Sequence, residues 1–365
     1  MASVYLAWTL LIAAGAWLTG QHYLIDLVTG IAFGAAMALA VNALLGAAVT
    51  LGTSEATERA PAGEPLAPAS SPARPRRRIE RPLLHPASAL ALGLEWLFIL
   101  GAAAAALLWW SAPVALAAGL VIATRQHALL VLYHDAVHGL IARRRRLNDF
   151  VINTAVGVPL LLPVHLYRAL HISHHRLLGT ARDPERVLLY RGQRWSYRPL
   201  PMGSLALQLL GDLLGWNAVV LAWRYFAERR RGGGLRLPRT RAYPELAAQY
   251  ALFAALWIAA AVLWPAVALR VAALWFLPYL TLTQLLQKVR SFAEHTDDAD
   301  RHARSCSWAP GLLGRLTIWP YNINYHREHH ARPDVPWNRL PAAFPAARQR
   351  PGAALRAHLW SGASR

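Results

Sequence analysis

Six apolar stretches punctuate the chain, at residues 4–17, 23–51, 87–110, 113–133, 248–264 and 266–286. The last five approach the roughly 20 residues that a membrane-spanning helix needs. The first is shorter and spans only with its flanks. Pro265 separates the last two, so they are expected to form a hairpin, as are 87–110 with 113–133 and 4–17 with 23–51. Between 53 and 81 the sequence turns to Glu, Pro, Ala, Ser and Arg and lacks the apolar content to fold, which marks a linker. The organisation expected is an N-terminal membrane hairpin (1–52), the linker (53–81), a main membrane body (82–350) and a tail (351–365). No internal repeat of solenoid length interrupts it.

Composition agrees with an all-α integral membrane protein. Hydrophobic residues make up 55% of the chain and charged ones 16%, against about a quarter charged in a soluble domain. The net charge of +19 comes from clusters: Arg74 with Arg76, Arg77 and Arg78; Arg143 to Arg146; Arg229 to Arg231; and Arg236, Arg239 and Arg241. These runs border apolar segments, as the positive-inside rule places them on a cytoplasmic face, and not as a nucleic-acid surface would. If each hairpin crosses and returns, every described cluster falls on one side. Two further apolar stretches, 150–164 and 205–223, must then lie in the interface or re-enter, because a single extra crossing would break that agreement. The N-terminus lacks the basic start of a cleaved signal. The one cysteine, Cys306, excludes an internal disulfide, an iron–sulfur cluster and a Cys-based zinc site. Any metal is held by nitrogen or oxygen.

Nitrogen is abundant. Of 15 histidines, eight fall in three groups: His134 and His138 in "HDAVH", His171, His174 and His175 in "HISHH", and His326, His329 and His330 in "HREHH". On a helix, positions i, i+3 and i+4 share a face, so each group presents its imidazoles in one direction. That is metal-ligand geometry. The scattered histidines, His22, His85, His127, His165, His302 and His358, are expected to be ordinary core or interfacial residues. A zinc takes three or four protein ligands, so eight histidines overfill one zinc and suit two metal ions. Asp135 and Glu328, inside the groups, are expected to orient an imidazole N–H.

The three groups resemble the His boxes of the membrane-bound fatty acid desaturase and hydroxylase superfamily. "LYHDAVHG" is similar to its first box with the trailing Gly, "YRALHISHHRLLGTARDPE" to its second, and "NINYHREHHARPDVPW" to its third; the likeness covers roughly 85–345. It implies about four core transmembrane helices in two hairpins beneath a cytoplasmic di-iron cap, with two Fe ions and O2 as co-substrate. It implies a lipid or acyl substrate in the membrane, and an external electron donor of ferredoxin or cytochrome type at the basic face of a bacterial-type inner membrane. Desaturation of an acyl chain is the first expectation, with hydroxylation or ketolation as alternatives on the same scaffold. Relatives often use a ninth histidine outside the boxes, here His295 in "VRSFAEHTDD", with Arg290 and Glu294 fixing that segment by polar contacts. Asn322 occupies the place where some relatives hold a metal-bound water; helix capping is its other reading.

The N-terminal "LTGQHYLIDLVTGIAFG" resembles the last motif of the type 2 phosphatidic acid phosphatase superfamily, with His22 and Asp26 as the pair. Gly15 and Ala16 stand where the family has Ser-Arg, and without cations to hold a phosphate the fragment is expected to be an inactive vestige. The alternatives from other classes are a lipid phosphatase acting through that pair and a histidine-rich metal-binding membrane protein. The second would carry polar residues along its spans, whereas these histidines sit at the ends of theirs.

Overall fold

The structure, a computed structural model, describes residues 83–178, 180, 183, 185, 201–220, 223, 244–295, 305–355 and 359. The N-terminal hairpin with His22 and Asp26, the linker, and the arginine clusters at 74–78, 229–231 and 236–241 lie outside the described residues.

Helix α1 (Pro86–Leu108) opens on a proline, whose missing N–H would find no partner in a first turn anyway. After a short turn, α2 (Ala112–Val137) also carries a proline, Pro113, in its first turn, and its 26 residues extend about 39 Å. A hydrocarbon layer is about 30 Å thick. The two helices pack along each other through Ala91, Leu92, Ile99 and Ala106 on one and Ala118, Ile122 and Leu129 on the other. Helix α3 (Arg145–Ile152) runs into a π-helical turn, Asn153–Gly157, and the chain then enters α4 (Val164–Leu177).

Two more apolar helices follow α5 (Met202–Leu213), namely α6 (Pro244–Leu263) and α7 (Pro265–Leu280). Pro265 disfavours helical geometry at the residue before it, and Trp264 duly leaves the helix at φ −139°, ψ 63°. The chain reverses there, because the rings of Trp257 and Phe276 meet at 5.9 Å, whereas a continuous helix would hold them on the order of 28 Å apart. Helix α7 breaks at Thr281 and resumes as α8 (Leu282–His295). Side chains serve the carbonyls near the break: Gln126 Nε2 donates to Trp275 O at 2.8 Å and Gln284 Nε2 to Tyr279 O at 3.1 Å. Irregular backbone inside a membrane helix needs this kind of internal satisfaction.

Among the described residues, four segments are thus long and apolar enough to cross a membrane, Pro86–Leu108, Ala112–Val137, Pro244–Leu263 and Pro265–His295. They match the four core helices expected from hydropathy, except that the last runs on to His295 rather than stopping near residue 286. The stretch 150–164 does not span. It is folded into the bundle, where Trp96 and Trp275 donate their indole N–H to Ala155 O and Pro159 O at 2.9 and 2.8 Å, and Tyr133 donates to Leu162 O at 2.7 Å. Helix α5 buries Leu205 and Asp212 while leaving Leu207, Leu210 and Leu213 exposed, the pattern of a helix lying along an apolar surface. The C-terminal part supplies a strand β1 (Trp308–Ala309), α9 (Leu312–Thr317), α10 (His326–Ala331), α11 (Leu340–Ala343) and a strand β2 (Arg350–Pro351) parallel to β1.

Candidate metal centre

The three histidine boxes and His295 converge at one end of the spans. The first box closes α2, the second ends α4, His295 is the last residue of α8, and α10 is the third box. Gly139, at φ +74°, ends α2 in a left-handed turn, and Leu140 N–H reaches back to Asp135 O at 3.2 Å. A residue with a Cβ resists that conformation, which gives the trailing Gly its structural purpose.

The nine histidines divide into two groups. In the first, His134, His138, His171, His175 and His329 bring one nitrogen each to within 4.8 Å of one another; in the second, His174, His295 and His330 do the same, and His326 joins them through His295 in a set that also includes the Glu294 carboxylate. His171 Nε2 and His175 Nε2 are 2.9 Å apart, and His329 Nε2 is 3.3 Å from His175 Nε2. In the second group, His326 Nε2 lies 3.0 Å from both His295 Nε2 and His330 Nε2. Each HxxHH box serves both groups. His171 and His175, four apart, enter the first and His174 the second; His326 and His330, four apart, enter the second and His329 the first. The 100° step between helix positions produces that split.

Carboxylates back the imidazoles from behind. Asp183, fully buried, accepts from His174 Nδ1 through both oxygens at 2.9 and 3.0 Å. Glu185 accepts from His171 Nδ1 at 2.7 Å, and Glu294 Oε2 stands 3.4 Å from His326 Nδ1 while pairing with Arg290 at 3.7 Å. A proton kept on Nδ1 in this way leaves the Nε2 lone pair directed into the group. Asp183 and Glu185 do what Asp135 and Glu328 were expected to do, whereas Glu294 stands near His326 Nδ1 without hydrogen-bonding to it. Asp135 instead accepts from Trp337 N–H at 2.9 Å, and Glu328 from the Ser307 hydroxyl. Residues one or two apart on a helix do not face each other, which turns Glu328 away from His329 and His326 and Asp135 away from His134. Asn322 also turns elsewhere, donating to Trp337 O at 3.1 Å, and the N-cap position of α10 belongs to Tyr325. Sequence reasoning also missed Arg168 and Asn148. Arg168 donates to Val137 O and Ala136 O at 2.8 and 3.0 Å while bonding Asp149, and Asn148 Nδ2 donates to Ala136 O at 2.9 Å. Together they hold the end of α2, and with it the first box, against α4.

Burial governs the electrostatics. It depresses His138 to about 4 and His175 to about 3, and holds His171, His326, His329 and His330 well below the ordinary imidazole value. His174 is the exception: burial opposes its charge, but Glu185 and Asp183 outweigh burial and raise it. Neutral imidazoles are the form that binds metal. Several buried nitrogens, both of His134, Nε2 of His138 and Nε2 of His174, have no hydrogen-bond partner among the described residues. Such orphans are costly unless something else satisfies them. A buried, converging donor set dominated by imidazole nitrogen, with the Glu294 carboxylate beside His295 and His326, fits iron among the metals that imidazole supports.

Apolar spans that end in buried histidine clusters able to hold metal ions set the class: a membrane protein with a candidate metal centre. The sequence profile of the Fatty acid desaturase family matches residues 107–361, and the chain belongs to that family of iron-using oxidoreductases. Among its relatives are Dihydrorhizobitoxine desaturase of Bradyrhizobium elkanii, 26% identical over 262 residues (70% of this chain, 72% of that protein), and Beta-carotene ketolase of Paracoccus sp. (strain PC1), 29% identical over 215 residues (58% and 72%). Beta-carotene 4-ketolase of Protosiphon botryoides is 25% identical over 234 residues, 58% of this chain and 47% of that protein.

Proposed function

We propose that this protein is a di-iron oxidoreductase of the membrane that uses O2 to desaturate the acyl chain of a fatty acid or lipid. The observation that carries the reading is the convergence of nine histidines, with Glu294 beside His295 and His326, into groups able to hold metal at the end of the four apolar spans among the described residues. His134, His138, His171, His175 and His329 would hold one iron, and His174, His295, His326 and His330 the other. Iron in such a set supplies oxidation of an unactivated C–H bond, which no side-chain acid or base can drive. The chain's own part is to keep His138, His171, His175, His326, His329 and His330 neutral by burial, to fix the Nδ1 protons of His174 and His171 on Asp183 and Glu185, and to exclude water. Removing two hydrogens from the chain while reducing O2 to two waters requires two electrons and two protons from outside. A ferredoxin- or cytochrome-type donor is therefore part of the proposal. Arg143 to Arg146, exposed directly after the first box, support a cytoplasmic face for the site in a bacterial-type inner membrane, and offer an acidic donor a complementary surface.

Two of the three relatives above are carotene ketolases, which favours oxygen insertion into a methylene as the second reading. The test is mass spectrometry of lipids and carotenoids from cells with and without the protein. Desaturation yields products two hydrogens lighter; ketolation adds an oxygen in place of two hydrogens. Products that are unchanged when His174 and His329 are both replaced by Ala would sink both readings.

A further inference from the structure

Glu95 and Arg125 lie within the apolar helices α1 and α2, where an ionisable side chain is costly and calls for a functional account. Their contacts lead to the segment that enters the third box. Tyr321 donates its hydroxyl to Glu95 Oε1. Arg125 pairs with Glu95 at 3.4 Å and donates to Leu316 O near the C-terminal end of α9. Two residues along α2, His127 Nε2 meets Ile318 O at 3.0 Å. The segment held in this way is unusual, because Tyr321 and Asn322 are both left-handed, at φ +51° and +53°. Residues with a Cβ seldom adopt that conformation, and two in succession persist only where their surroundings over-determine them. From the other side, the Trp337 ring packs on Tyr321 at 4.8 Å, and Asn322 is bonded to Trp337 O. Trp337 N–H is itself fixed by Asp135, the neighbour of His134. His326 follows the turn by four residues.

We propose that Glu95, with Arg125, is a positioning residue: through the Tyr321 hydroxyl it holds the left-handed Tyr321–Asn322 turn and so seats His326, His329 and His330 against the other boxes. The inference rests on the iron-binding reading above. An ion pair that merely joined α1 to α2 would add stability but would be indifferent to the Tyr321 hydroxyl. The experiment compares the purified full-length chain with Tyr321→Phe, Glu95→Gln and Glu95→Leu. It measures iron affinity against a competing chelator and hydrogen exchange of residues 320–331 in the iron-free protein. Tyr321→Phe and Glu95→Leu are expected to weaken iron binding about tenfold or more, as loss of a supporting contact does, and to speed exchange in that segment. Glu95→Gln keeps an oxygen to accept the Tyr321 proton and is expected to stay close to the parent. Parental affinity and parental exchange in Tyr321→Phe would overturn the proposal, whatever happens to its melting temperature. If Glu95→Leu fails to accumulate, Tyr321→Phe decides alone, since it keeps the ring that packs on Trp337. A parent chain that binds no iron would overturn the iron reading, and the exchange of the iron-free chain would still decide the positioning claim.

Discussion

Asp183 offers the sharpest test of how the centre is supported. Its side chain is fully buried, accepts from His174 Nδ1 through both oxygens, and also accepts from Glu185 N–H at 3.0 Å. Asp183→Asn keeps the shape and removes the charge. A hydrogen bond to a charged group contributes about 1.5–3 kcal/mol and a neutral one about 0.5–1.5, so the change costs about 1.4 kcal/mol, or roughly tenfold in iron affinity. Asp183→Leu removes the acceptor altogether and leaves His174 Nδ1–H and Glu185 N–H buried without it. That costs about 2–3 kcal/mol, roughly 30- to 150-fold, in line with the 10–100-fold typical of residues behind metal ligands. The assay is iron titration of purified protein against a chelator of known affinity. Asp334→Asn serves as the control, because Asp334 and its partner Arg332 are 51% and 58% exposed and such a pair is worth little. Parental affinity in Asp183→Leu, or an equal loss in the control, would refute the claim that this carboxylate sets the ligand.

Three further outcomes follow from the same geometry. Gly139→Ala places a Cβ at φ +74° and should destabilise the fold by about 1–2 kcal/mol, read as a lowered melting temperature; a neutral Ala would contradict the left-handed end of α2. Arg168→Leu removes the guanidinium bonded to Asp149 and the side-chain donor to Val137 O, while Asn148 still donates to Ala136 O, an expected loss of about 2–3 kcal/mol by chemical denaturation, whereas a loss under about 0.5 kcal/mol, the scatter of surface changes, would argue against its role in holding the first box. Burial pushes Cys306 up to about 11, and a raised thiol pKa keeps the neutral, unreactive form at pH 8. Alkylation of the native protein should therefore run roughly a hundredfold slower than that of an ordinary thiol, and labelling at the ordinary rate would show that Cys306 is not shielded.

Much of this was legible from one dimension. Apolar runs revealed four core spans because length and composition alone decide whether a helix can cross a bilayer, and the proline at 265 marked the reversal because its effect is local. The boxes were equally visible, since i, i+3 and i+4 spacing is a property of a single helix. His295 entered only through resemblance, and its place in the second group depends on α8 continuing past the break at Thr281.

What the sequence by itself determined is therefore the class of donor and its number: imidazoles without thiols, enough for two metal sites, at the ends of membrane helices. What only the tertiary structure decided is which imidazole joins which group, and which acids stand behind them. Asp135 and Glu328 bond Trp337 N–H and Ser307 rather than an imidazole, while Asp183 and Glu185 reach His174 and His171 through the turn of chain that follows the second box. The same holds for Glu95 and Tyr321, separated by more than half of the chain and joined by one hydrogen bond. Local spacing can show that a residue is able to bind, but only packing chooses its partner, because partners are chosen by distance in space.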